Sequence, residues 1–190
     1  MAKHDDEAHE ASGAGIVALL ERLTRLVRAA EHGADLNPAQ WEALRYLSRA
    51  NRFSNSPTAL THYLGATKGT ISQTIKSLER KGYLQKIVRP EERRSVALSV
   101  TQKGHEAMLG NSWTKLAETA DQFGGKTRRR LEKGLRSLLD DTLSRGGHVR
   151  FGTCASCRHF GPSAHCAVFD ETIAELETSM LCAAYRPQDA

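Results

Sequence analysis

At Gly82 the apolar pattern of the chain changes its period, and few folds accommodate that change. Before it, Ser56-Pro57 gives a cap-then-proline signal for a short helix through Leu64, and Gly65-Ala66 makes a turn. Thr67 then caps a second helix, Lys68 to Lys81, with Ile71, Ile75 and Leu78 on its inward face. After Gly82, Tyr83 to Val88 and Ser95 to Val100 are β-rich, with Val96, Leu98 and Val100 alternating inward. The charged stretch Arg89-Pro90-Glu91-Glu92-Arg93-Arg94 lies between them as a hairpin tip. Two short helices about a glycine turn, followed by a hairpin, describe a winged helix-turn-helix.

The flanks are helical. Ile16, Leu19, Leu20, Leu23, Leu26, Val27 and Ala30 carry helical spacing, and Asn37-Pro38-Ala39-Gln40 opens a helix with a capping box, burying Trp41, Leu44 and Leu47. Leu109, Trp113, Leu116, Ala120 and Phe123 form an apolar seam; beyond Gly124-Gly125, Leu131, Leu135, Leu138, Leu139 and Leu143 form another. The expected fold class is mainly α with a small β-hairpin wing (α+β). It comprises a winged helix-turn-helix, long dimerisation helices and a small C-terminal metal-stapled segment. Residues 1–12 read as a disordered acidic leader, 13–145 as the winged-helix domain and 148–190 as a cysteine-rich segment.

Charge points to the partner. The chain carries a net charge of +5, but its ends are acidic. Between Thr67 and Lys103, nine basic residues (Lys68, Lys76, Arg80, Lys81, Lys86, Arg89, Arg93, Arg94, Lys103) face only Glu79, Glu91 and Glu92. A basic middle suits a polyanion. Thr67, Lys68, Thr70, Ser72, Gln73, Thr74 and Lys76 are expected on the exposed face and N-terminal cap of the second helix. Gln and Thr there address base edges, while Lys and Thr hold phosphates. Arg89, Arg93 and Arg94 at the hairpin tip suit a narrow minor groove. Double-stranded DNA is the expected partner; the competing use of such a domain is protein contact.

In three segments the sequence resembles the MarR family of bacterial transcription regulators. Leu36-Asn37-Pro38-Ala39-Gln40-Trp41 is similar to the opening of the family's second helix. Thr67 to Gly82 with Tyr83-Leu84 resembles its recognition helix and exit, and Glu92-Arg93-Arg94 followed by Thr101-Gln102-Lys103-Gly104 its wing signature. The family usually has Asp where this chain has Glu92, the acid that orients the wing arginine, here Arg94. The resemblance implies a homodimer joined by its first, fifth and sixth helices, and a small-molecule effector pocket near that interface. The three apolar seams independently exceed what one small core hides.

The cysteines are confined to the tail: Cys154, Cys157, Cys166 and Cys182, spaced C-x2-C-x8-C-x15-C. The close pair chelates from one turn, and two further thiolates complete four ligands. A segment this short builds no adequate core alone, so a metal staple is expected. Asp170 to Leu181 reads as a short helix returning Cys182 to the others. Isolated third and fourth cysteines suit an iron–sulfur cluster, with zinc as the alternative. Disulfide pairing as a redox switch and purely structural thiols are the other readings. The units Cys157-Arg158-His159-Phe160, Cys166-Ala167-Val168-Phe169 and Cys182-Ala183-Ala184-Tyr185 resemble high-potential iron–sulfur proteins, although Met180-Leu181 replaces their glycine–tryptophan pair.

No glycine-rich phosphate loop, nucleophile elbow or paired catalytic carboxylates occur, so an enzyme is not expected. No stretch reaches the length of a spanning helix and the N-terminus lacks a secretory apolar core, so a cytoplasmic, membrane-free protein is expected. The expected function is a DNA-binding regulator, in sense a repressor, on a palindromic operator. Its cluster senses redox state, gas or iron supply. The alternatives are the same regulator with a structural zinc site and a separate ligand, and an electron carrier or thiol enzyme.

Overall fold

The computed structural model describes residues 12–31, 35–88 and 96–188. Residues 1–11 of the expected leader and the wing tip with Arg89, Glu92, Arg93 and Arg94 lie outside them, whereas Ser12, the last residue of that leader, caps the first helix. Helices α1 (Gly13–Ala29), α2 (Pro38–Leu47), α3 (Pro57–Leu64) and α4 (Lys68–Arg80) precede an antiparallel hairpin, β1 (Leu84–Val88) and β2 (Val96–Val100). Helices α5 (Gln102–Met108), α6 (Ser112–Asp121) and α7 (Gly125–Gly146) follow. The tail holds two 3-10 turns (Cys154–Ser156 and Pro162–Ala164), a two-residue ladder of β3 (His165–Cys166) on β4 (Glu171–Thr172), and α8 (Glu175–Thr178).

The helix starts follow their local chemistry. Asn37 Oδ1 accepts from the Gln40 amide at 2.9 Å and Gln40 Oε1 from the Asn37 amide at 3.1 Å, a complete capping box. Ser56 caps α3 and Thr67 caps α4 in the same manner. Gly65 turns the chain between them at φ +60°, a left-handed conformation that glycine adopts without a Cβ penalty. Leu44, Tyr46, Leu60, Leu78 and Leu98 are the deepest apolar side chains, so α2, α3, α4 and β2 share one core. The wing is held to it in register, Leu84 opposite Val100 and Val88 opposite Val96.

The structure corrects four expectations. On β2, Ala97 is buried beside Leu98 while Val96 and Val100 are only half-buried, because both faces of this short strand are partly covered. The seam from Leu109 to Phe123 is not one helix. Leu109 is extended, Gly110 takes φ +62°, and Asn111 caps α6 afresh, which leaves Leu109 exposed. The expected helix from Asp170 to Leu181 shrinks to Glu175–Thr178, since Glu171 and Thr172 pair with β3; Ile173 is buried but Leu176 faces outward. Finally, the tail is no free appendage. Its Leu181 bridges Ala50, with Leu181 N–H donating to the Arg49 carbonyl at 2.7 Å and Asn51 N–H to the Leu181 carbonyl at 3.0 Å.

Candidate nucleic-acid interface and cysteine site

Helix α4 presents the face expected of it, with one exception. Lys68, Thr70, Ser72, Gln73 and Lys76 are exposed, as is the cap residue Thr67, while Ile71, Ile75 and Leu78 are buried. Thr74 is buried too, contrary to expectation. Its hydroxyl donates to the Thr70 carbonyl one turn back (3.0 Å), which satisfies the group without water and lets the methyl pack inward. Thr67 Oγ1 accepts from the Thr70 amide at 3.2 Å and lies 2.9 Å from Thr70 Oγ1, so these two hydroxyls form one small polar rim at the helix start. Lys68, Ser72 and Lys76 border a cleft with Lys86 and Val96 of the hairpin. Lys86 is itself paired with Glu79 at 2.6 Å. The face therefore combines amide, hydroxyl and ammonium groups on a helix with an adjoining hairpin, the groups that base edges and phosphates require.

Gln40 is a positioning residue that its role as a cap concealed. Buried at 5% exposure, it donates from Nε2 to Ser77 Oγ at 3.0 Å, while Oε1 accepts from Lys81 Nζ at 3.2 Å. One side chain thus ties the start of α2 to the end of α4. An open cleft of about 870 Å³ separates α2 from α5 and α6, bordered by Arg28, Arg45, Arg49, Tyr63, His105 and Trp113. The Arg45 guanidinium sits 5.4 Å above the Trp113 ring.

The four cysteines arrive from separate parts of the tail and line one small cavity of about 10 Å³. All four are buried free thiols. Cys166 bridges Phe160, Gly152 bridges Cys182 and Cys157 bridges Pro187, so the backbone fixes these three in place, and the Cys154 carbonyl accepts from the Cys157 amide at 3.0 Å. Gly152 is required here: a Cβ would lie 2.7 Å from the Tyr185 ring. The remaining walls are apolar, among them Phe53, Phe160, Phe169 and Ile173. Burial, then the neighbouring Cys182, Cys157 and Cys166, push the Cys154 thiol above its usual range. His159 borders the same cavity, whereas His165 faces Asp170 at 3.3 Å. Among the described residues, no group of three or more His, Cys, Asp or Glu side chains is arranged to hold a metal ion directly.

Residues 34–95 match the MarR family. That match falls on the winged helix. Over 126 residues the chain is 26% identical to the transcriptional repressor MprA of Escherichia coli, covering 60% of this chain and 69% of that one. It is similar in fold to Streptococcus pneumoniae FabT, solved in complex with DNA, with a TM-score of 0.56 at 20% identity over 68% of this chain and 93% of that one. S. aureus MepR, also solved as a DNA complex, gives a TM-score of 0.57 at 15% identity over 71% and 99% of the two chains. The MarR-type match includes α2 to α4 and β1, and ends well before Cys154. No helix of the described residues is long and apolar enough to cross a membrane.

Proposed function

We propose that this chain is a DNA-binding transcription regulator, in sense a repressor, that acts as a homodimer on a palindromic duplex. The exposed polar and basic face of α4, beside a basic hairpin in a MarR-type fold, carries this reading. FabT and MepR, of similar fold, are solved in complex with DNA, and MprA is a transcriptional repressor. Gln73 and Thr70 read bases, Lys68, Ser72 and Lys76 hold the backbone, and Arg89, Arg93 and Arg94 reach the minor groove. Ile16, Leu19, Leu23 and Leu26 of α1 and Leu131, Leu135, Leu138 and Leu139 of α7 are exposed within one chain, and a second copy would cover them. The cleft bordered by Arg45 and Trp113 is the place for a small-molecule effector.

The tail supplies the signal. Cys154, Cys157, Cys166 and Cys182 would hold an iron–sulfur cluster that responds to redox state, gas or iron supply. Four buried thiols with apolar walls, two in a C-x2-C pair and two isolated in sequence, support this reading, and zinc on the same four thiols is the alternative. When bound, such a cluster exchanges single electrons. The protein's part would be to supply thiolates, exclude water with Phe160 and Phe169, and fix Cys157, Cys166 and Cys182 through backbone bridges.

The test is selection of duplexes from a random-sequence pool by anaerobically purified protein, followed by binding of Gln73→Ala. A palindromic consensus whose half-sites lie about one helical turn apart supports the reading. Absence of any enriched sequence overturns it.

A further inference from the structure

The turn between α2 and α3 is a wall of the cysteine cavity. Phe53 and Asn51 line that cavity together with the four cysteines. The Phe53 ring stacks on Phe169, centroids 3.9 Å apart and 6° from parallel. Ser54 Oγ accepts from the Ala183 amide at 2.8 Å, one residue beyond Cys182. Arg52 reaches across the tail, pairing with Glu171 at 2.7 Å and with Glu177, and donating to the Thr172 carbonyl at 3.0 Å. Glu171 is the ladder partner of Cys166.

The same turn is fastened to the winged helix. Tyr46 O–H donates to the Ser54 carbonyl at 2.7 Å from the deepest part of the core. The Asn55 carbonyl accepts from the Leu98 amide of β2 at 2.7 Å, and Ser56 caps α3. Only Asn51 to Ser56 therefore separates the cysteine cavity from the helix that seats α4.

We propose that the group held by the four cysteines sets the position of α3 and α4 through this turn, so that filling or emptying the cavity changes DNA affinity. This rests on the regulator reading above and adds its route of coupling. Without a bound group the space between Phe53, Phe169, Ile173 and the four thiols is only about 10 Å³, so a group held there must displace these walls, and close-packed walls shift between discrete arrangements rather than deform smoothly. Because Phe53 is one of those walls, the shift moves the turn. Arg52 is the positioning residue that keeps turn and tail in step.

The test uses the full chain, purified without oxygen and assayed for bound metal, then compared with the same protein after chelation and desalting. Two readouts are taken: affinity for the duplex selected by the loaded protein, and hydrogen exchange of residues 49–64. Emptying is expected to change affinity by about fivefold or more and to accelerate exchange in that segment. Arg52→Ala and Glu177→Gln should retain metal and helix content but bring the loaded-to-emptied affinity ratio towards one, with Arg52→Lys restoring part of it. Equal affinity and equal exchange of loaded and emptied wild type overturn the proposal. So does a full ratio in metal-bearing Arg52→Ala, or wild type that carries no metal. If no duplex is selected in either state, the regulator reading fails instead, and the exchange of residues 49–64 alone decides whether the cavity controls the turn.

Discussion

Neighbouring residues of α4 have opposite roles because one is buried and one is not. Gln73 is exposed on α4, so Gln73→Ala should relax sequence preference by about 1–3 kcal/mol in competition against mismatched duplexes. Lys76→Ala should weaken all duplexes alike and flatten the salt dependence by about one unit. Thr74 satisfies its hydroxyl on the Thr70 carbonyl, so Thr74→Val, of nearly the same shape, should leave sequence preference unchanged in that assay. The period of Ile71, Ile75 and Leu78 is visible in the sequence, and with it most of this face. The burial of Thr74 is not, because a threonine that bonds its own helix looks polar by residue type. Gly104 is a second hidden constraint. A Cβ there would lie 2.5 Å from the Tyr83 carbonyl oxygen and 2.6 Å from Val100 Cγ1. Gly104→Ala should therefore lower stability by about 1–3 kcal/mol, read as a lower denaturation midpoint with an unchanged slope.

Among the elements, the helices that carry the core and those that do not divide cleanly. α2, α3 and α4 bury residues within one chain, whereas α6 and α7 bury none. At 22 residues α7 spans about 33 Å, and four of its leucines are exposed. Such a stripe in water is stable only when another surface covers it. Leu135→Glu combined with Leu139→Glu should shift the protein from dimer to monomer in sedimentation at micromolar concentration, and weaken binding to a two-half-site duplex far more than to a single half-site. Element starts were legible because caps and prolines are local signals: Asn37, Ser56 and Thr67 sit where their side chains accept from backbone amides. The break at Leu109–Gly110 was not, because apolar spacing runs through it, and a left-handed glycine within a periodic stripe leaves no mark in that spacing. For the same reason the helix towards Cys182 was read too long: the pairing of Glu171 with Cys166 outweighs a weak helical pattern.

For the whole molecule, the contacts that matter most join positions far apart in sequence. Arg52 meets Glu177 across 125 residues and Ser54 meets Ala183 across 129, and nothing in local composition announces either contact. The C-x2-C pair and its two followers could be read as one ligand set, but not the fact that the α2–α3 turn supplies a wall of their cavity. The deepest side chains of the winged-helix core, Leu44, Leu60, Leu78 and Leu98, lie outside the tail, which adds half-buried Phe151, Leu181 and Ala183 against it, and α1 to α7 contain nearly all the helix. The tail has three buried residues in its own small cluster, two of them cysteines, so a bound group would be a large share of what holds that cluster together. Removing that group should therefore disorder the tail while the winged helix stays folded. Anaerobic protein should carry iron and acid-labile sulfide with broad visible absorption, all lost on chelation, while far-UV circular dichroism falls only slightly. Near residues 152–186 amide exchange should accelerate to the level of an open chain, and in the core of α2 and α4 it should not change. Zinc in place of iron and sulfide would replace the cluster by a single structural ion. Loss of helix signal in step with metal loss would instead mean that the tail is part of the core.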